Sequence, residues 1–80
     1  MDTRVAILAI LVTEESSVAD VNASLHEYSQ FIIGRMGLPY RTRGVNIISI
    51  MMDAPVDRIN ALAGRLGRLN GVTAKAVYTN

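Results

Sequence analysis

Eighty residues with a formal net charge of +1 make one small domain, expected to span residues 1–80, with no global field that favours nucleic acid. The chain has no cysteine, which excludes disulfides, thiolate metal sites and a cysteine nucleophile. Hydrophobic residues make up 50% of it, more apolar surface than so small a core easily hides, and that points to self-association.

Val5 through Val12 is an unbroken apolar run. It is far short of the ~20 residues that span a bilayer. Thr13-Glu14-Glu15 follows it, with no small-residue cleavage pattern, so it does not read as a signal peptide. A strand over residues 4–13 is the better reading. Val5, Ile7, Ala9 and Leu11 fall on one face and Ala6, Leu8, Ile10 and Val12 on the other. Both faces are apolar, so both need cover.

Ser17 followed by Asp20 approximates a capping box. A helix is predicted over residues 18–28, with Val18, Val21, Leu25 and Tyr28 as its apolar stripe. A short second strand near residues 31–36 runs into a Gly-rich corner at residues 34–39. Gly34 and Gly37 there, and Gly44 beyond them, permit a positive φ or a close backbone approach, and Pro39 biases Leu38 toward extended geometry. Arg41-Thr42-Arg43-Gly44 is a basic turn. Between Glu27 and Asp53 the only charged residues are Arg35, Arg41 and Arg43.

A third strand is predicted over residues 45–52, with Val45, Ile47, Ser49 and Met51 alternating against Asn46, Ile48, Ile50 and Met52. Pro55 suits the first position of a second helix, with Asp57 near the positive end of its dipole. Ile59, Leu62, Ala63, Leu66 and Leu69 form its apolar face, and Gly67 and Gly71 are candidate stops. A fourth strand over residues 72–79 alternates Val72, Ala74, Ala76 and Tyr78 with Thr73, Lys75, Val77 and Thr79.

The order β-α-β-β-α-β is that of an α+β, ferredoxin-like sandwich. The expectation is a four-stranded antiparallel sheet in spatial order 4-1-3-2 with two helices on one face. Strands 1 and 3, apolar throughout, form the centre and are expected to run parallel to each other. Strands 2 and 4 are the edges.

Chemistry-bearing residues are sparse. His26 is the only histidine, so a metal site has no second imidazole and no thiolate to draw on. It reads as a helix-surface or interface residue, with ligand contact as the sharper alternative. Arg35, Arg41 and Arg43 could grip a carboxylate or phosphate, or could simply be a solvated turn and a charged edge. Arg58, Arg65 and Arg68 share one face of the second helix, which is ordinarily its wet side and is weak evidence for nucleic acid. Gly34-Arg35-Met36-Gly37 lacks the Lys-Ser/Thr of a phosphate loop, and no helix begins there. No nucleophile–base pair, carboxylate dyad or metal triad is apparent. The candidate ligand contacts are His26, Arg35, Tyr40 and Arg41, with no catalytic residue, metal or cofactor.

The segments His26-Glu27-Tyr28, Ile32-Ile33-Gly34-Arg35-Met36-Gly37-Leu38-Pro39-Tyr40-Arg41, Gly44-Val45, Ile47-Ile48-Ser49-Ile50 and Asp53-Ala54-Pro55 resemble a family of small proteins described as iron-only hydrogenase system regulators. The resemblance spans nearly the whole chain. It implies an ACT-like variant of the ferredoxin-like fold, similar to the C-terminal sensing domain of the nickel-responsive repressor. That sensing domain holds its metal through several His and a Cys, so none of its ligands carries over to a chain with one His and no Cys. A first strand at about Arg4 is also expected to leave no room for a ribbon-helix-helix DNA-binding domain.

The functional expectation is a non-enzymatic, cytoplasmic regulatory or sensing module that binds a small ligand or a partner protein. The alternatives are a small enzyme using Arg35, His26 or Tyr40 at a subunit interface, and a weak nucleic-acid binder. The chain is expected to form a homo-oligomer, most simply a dimer, through the sheet face away from the helices. That face would carry one of the two strand-1 sets, with Arg35 or Arg41 reaching the rim of a cavity at the seam.

Overall fold

Six principal elements follow one another: β1 (Arg4–Val12), α1 (Val18–Glu27), β2 (Ile32–Tyr40), β3 (Val45–Ala54), α2 (Val56–Gly67) and β4 (Val72–Tyr78), in a computed structural model that describes residues 2–79. The strands form one sheet in the order β2-β3-β1-β4. This is the expected ferredoxin-like arrangement, with β2 and β4 at the edges. The central pair differs from expectation, because β1 and β3 are antiparallel, with Leu8 opposite Ile50 and Ile10 opposite Ile48. The α1 crossover returns the chain so that β2 runs in the direction of β1. The hairpin that follows reverses β3 against both.

One side of the sheet makes the core. Ala6, Leu8, Ile10 and Val12 of β1 and Ile48, Ile50, Met52 and Ala54 of β3 are buried against Val21 and Leu25 of α1 and Ile59, Leu62 and Leu66 of α2. Both helices therefore cover the same face, each through the apolar stripe its 3.6-residue period predicts. Pro55 sits just before α2, with φ −57°, and its carbonyl accepts from the Arg58 and Ile59 amides.

Three local readings change. Ser17 does not cap α1; its buried hydroxyl instead donates to the Asn70 carbonyl at 2.6 Å. Strand β2 does not turn a corner at Gly34 but runs on to Tyr40. It is an edge strand with a single ladder partner, so it can admit Pro39, which has no N–H to give. The irregularity is a bulge at Ile33, where the register slips between Ile32 and Gly34. Only two glycines need a positive φ, Gly44 in the β2–β3 turn and Gly71 before β4.

The second face of the sheet is open and largely apolar. Val5, Ile7 and Leu11 of β1 point there, with Ile7 49% exposed. In register beside them stand Ile47, Ser49 and Met51 of β3, and beyond those Leu38, Met36 and Gly34 of β2. The β1 set on the open face is thus Val5-Ile7-Ala9-Leu11. Among the described residues no helix is long and apolar enough to cross a membrane.

Candidate functional site

On the helix side of the sheet, α1 and β2 do not close against each other. The bulge at Ile33 resets the alternation of β2, so Arg35, Gly37 and Pro39 stand opposite Ile50, Ile48 and Asn46, the helix-facing residues of β3. Asn22 and His26, four residues apart on α1, lie on the same helix flank, off the buried stripe of Val21 and Leu25. The result is a groove between α1 and the edge strand, continued past the end of the sheet toward the β2–β3 turn.

Three hollows follow one another along it. Asn22, Leu25, His26, Ser29, Ile32 and Arg35 line the first, of about 430 Å³. The middle one, of about 340 Å³, has Val12, Val21, Ile48 and Gly37 among its walls, with Arg35 and Asn22 shared with the first. The last, of about 440 Å³, includes Thr13, Glu15, Tyr40, Arg41 and Asn46. The four residues expected to contact a ligand therefore divide into two pairs, His26 with Arg35 at one end and Tyr40 with Arg41 at the other. Arg35 lies on the helix side, away from the open sheet face, so it is not at the rim of a seam formed there.

The guanidinium of Arg35 is held by Asn22, whose side-chain oxygen accepts from Nη2 at 2.8 Å. At the far end of the middle hollow, Asn46 donates weakly to Glu15 at 3.4 Å. The one ion pair among the described residues lies elsewhere, between Glu27 on α1 and Arg65 on α2. Hydrogen bonding and charge from Arg65 hold the Glu27 carboxyl below its ordinary range, and Glu27 in turn raises Arg65. Arg35, Arg41 and Arg43 thus have no acidic partner among the described residues, and no three His, Cys, Asp or Glu side chains converge there.

Asn22, Gly37, Val21 and Ile48 were not among the expected ligand contacts. Asn22 had a readable signal, its four-residue spacing from His26. Gly37 would have been found by carrying the alternation of strand 2 beyond Met36, which sets Arg35, Gly37 and Pro39 on one face.

No match was found among curated proteins. A solved structure, "The structure of uncharacterized protein TM1266 from Thermotoga maritima", is similar throughout. It has 36% sequence identity and a TM-score of 0.94, covering 99% of this chain and 100% of that one. The TM1266-like family, described as "Iron-only hydrogenase system regulator, putative", matches residues 4–76, and this chain belongs to that family.

Proposed function

We propose that this chain is a non-enzymatic regulatory module of the cytoplasm that works as a homo-oligomer, most simply a dimer, joined through its open sheet face. The observation that carries this reading is the apolar character of that face. Val5, Ile7, Leu11, Ile47 and Val77 form large hydrophobic surface on strands whose other side is the core, and Met36 and Leu38 extend it across the edge strand β2. Soluble monomers rarely expose a contiguous apolar patch beyond a few hundred Å². Pairing the face with its own copy could bury the ~1,600 Å² of a standard interface, a large gross hydrophobic term at ~25 cal/mol/Å² before association costs are subtracted.

A second copy suits the face better than a foreign partner on grounds of charge. The sheet register turns Lys75 of β4 and Asp53 of β3 toward the open side, one charge of each sign. A two-fold axis would then confront a neutral patch with itself, without burying net charge. The regulatory role is supported by the family description. Ligand sensing is assigned to the α1–β2 groove, where His26, Arg35, Tyr40 and Arg41 line successive hollows.

The test is Ile7→Lys, a substitution at a half-exposed position that leaves the core intact. Sedimentation velocity should show the variant as a folded monomer beside an oligomeric wild type. A variant that assembles as the wild type does would remove the open face from the interface. A heteromeric partner is supported instead if the wild type is itself monomeric until that partner is added.

A further inference from the structure

The middle hollow of the α1–β2 groove contains a slot that packing does not fill. Its floor is Gly37 and Ile48, in register on neighbouring strands. A Cβ placed on Gly37 would meet nothing within 4 Å, and the residue has no positive φ, so neither crowding nor backbone geometry calls for glycine here. The missing side chain leaves an apolar trough between Val21 of α1 and the edge strand. About 340 Å³ is at the small end of the range for ligand sites.

One end of this trough is cationic. Asn22 accepts one N–H of the Arg35 guanidinium and so orients the group beside the groove, leaving further donors of its planar fork unused by any acid among the described residues. A carboxylate, with two oxygens in one plane, matches such a fork. A phosphate dianion matches less well, because Glu15 sits among the lining residues and would oppose extra negative charge.

We propose that this slot binds a short aliphatic carboxylate, with its oxygens on Arg35 and its hydrocarbon over Gly37 and Ile48. The inference deepens the sensing role assigned to the groove and rests on that reading for its place in regulation. Binding involves no covalent step. Arg35 and Asn22 fix the head group, and Gly37 admits the tail.

Isovalerate is the probe, with isoamyl alcohol as its uncharged counterpart. Each is titrated into isotopically labelled protein, and backbone amide shifts are followed in the wild type, Arg35→Gln and Gly37→Val. Isovalerate is expected to shift the amides around Asn22, Arg35 and Gly37 in a saturable way. The alcohol should bind at least about 10-fold more weakly, as should isovalerate to Arg35→Gln, the loss expected for one charge-assisted contact. Gly37→Val should abolish the shifts while keeping the folded spectrum. No saturable shift at those amides overturns the proposal, as do equal binding of acid and alcohol or undiminished binding to Gly37→Val. Should Gly37→Val fail to fold, Arg35→Gln and the alcohol still decide the matter. Sedimentation of the same samples separates the two readings. An oligomer that ignores isovalerate sinks the slot alone, and a monomer that binds it sinks the assembly alone.

Discussion

The Ser17 hydroxyl donates to the Asn70 carbonyl at 2.6 Å, tying the start of α1 to the turn that leads into β4. Ser17 is buried but Asn70 is exposed, so removing the donor forfeits one hydrogen bond and leaves a carbonyl on an exposed residue. Ser17→Ala is expected to cost about 0.5–1.5 kcal/mol of unfolding free energy in urea. Ser17→Asp separates this bridge from a helix cap. Aspartate is a good cap but cannot donate to a carbonyl, so it should be worse than alanine. A Ser17→Asp variant as stable as the wild type would restore the capping role.

Gly71 makes a second tie at the same place. Its φ is +71°, its carbonyl accepts from the Thr13 amide at 2.8 Å, and a Cβ would lie 2.5 Å from the Glu14 Cβ. Gly44 also has a positive φ, +61°, but open space around it. Alanine at Gly44 should therefore cost only the backbone term of about 1–2 kcal/mol, and alanine at Gly71 distinctly more, since the Glu14 backbone must move as well. Equal losses in paired thermal melts would contradict the close approach.

The Glu27–Arg65 ion pair joins the two helices on their solvent side. Arg65 lowers the folded-state pKa of Glu27, so the pair stabilises the fold above the ordinary carboxylate range. That contribution is lost as pH falls through the depressed value. Both groups are exposed, so the effect is small and weakened by salt. The melting temperature of Glu27→Gln should fall less steeply with acidification than that of the wild type at low ionic strength. Parallel curves would show that the pair contributes nothing.

Much of this was legible in the sequence, because periodicity marks what must be buried. The stripe Ile59-Leu62-Leu66 and the doubly apolar strands 1 and 3 are enough to order the elements and to place the central pair. The direction of that pair was misjudged, although it follows from counting chain reversals. Residues with two local options were harder to read. Ser17 can cap a helix or bridge to a distant loop, and Asn70 lies 53 residues away. Pro39 and Gly37 suggest a corner in isolation but are tolerated in an edge strand. The face of Arg35 depends on the bulge at Ile33, and a one-residue slip turns every later side chain to the other side. That slip placed Arg35 in the helix-side groove, where Asn22 holds it.

Metal binding is a separate question that the groove poses through His26. With no second imidazole and no thiolate in the chain, equilibrium dialysis against nickel, zinc or iron is expected to show no stoichiometric tight site. A micromolar site lost on His26→Ala would contradict this.

Sedimentation equilibrium of the wild-type protein at micromolar concentration tests the account most directly. The apolar face formed by Val5, Ile7, Leu11, Ile47 and their neighbours predicts a species at a multiple of the 8.7 kDa chain mass, most simply twice that mass. A single, well-folded and soluble species at 8.7 kDa would contradict it.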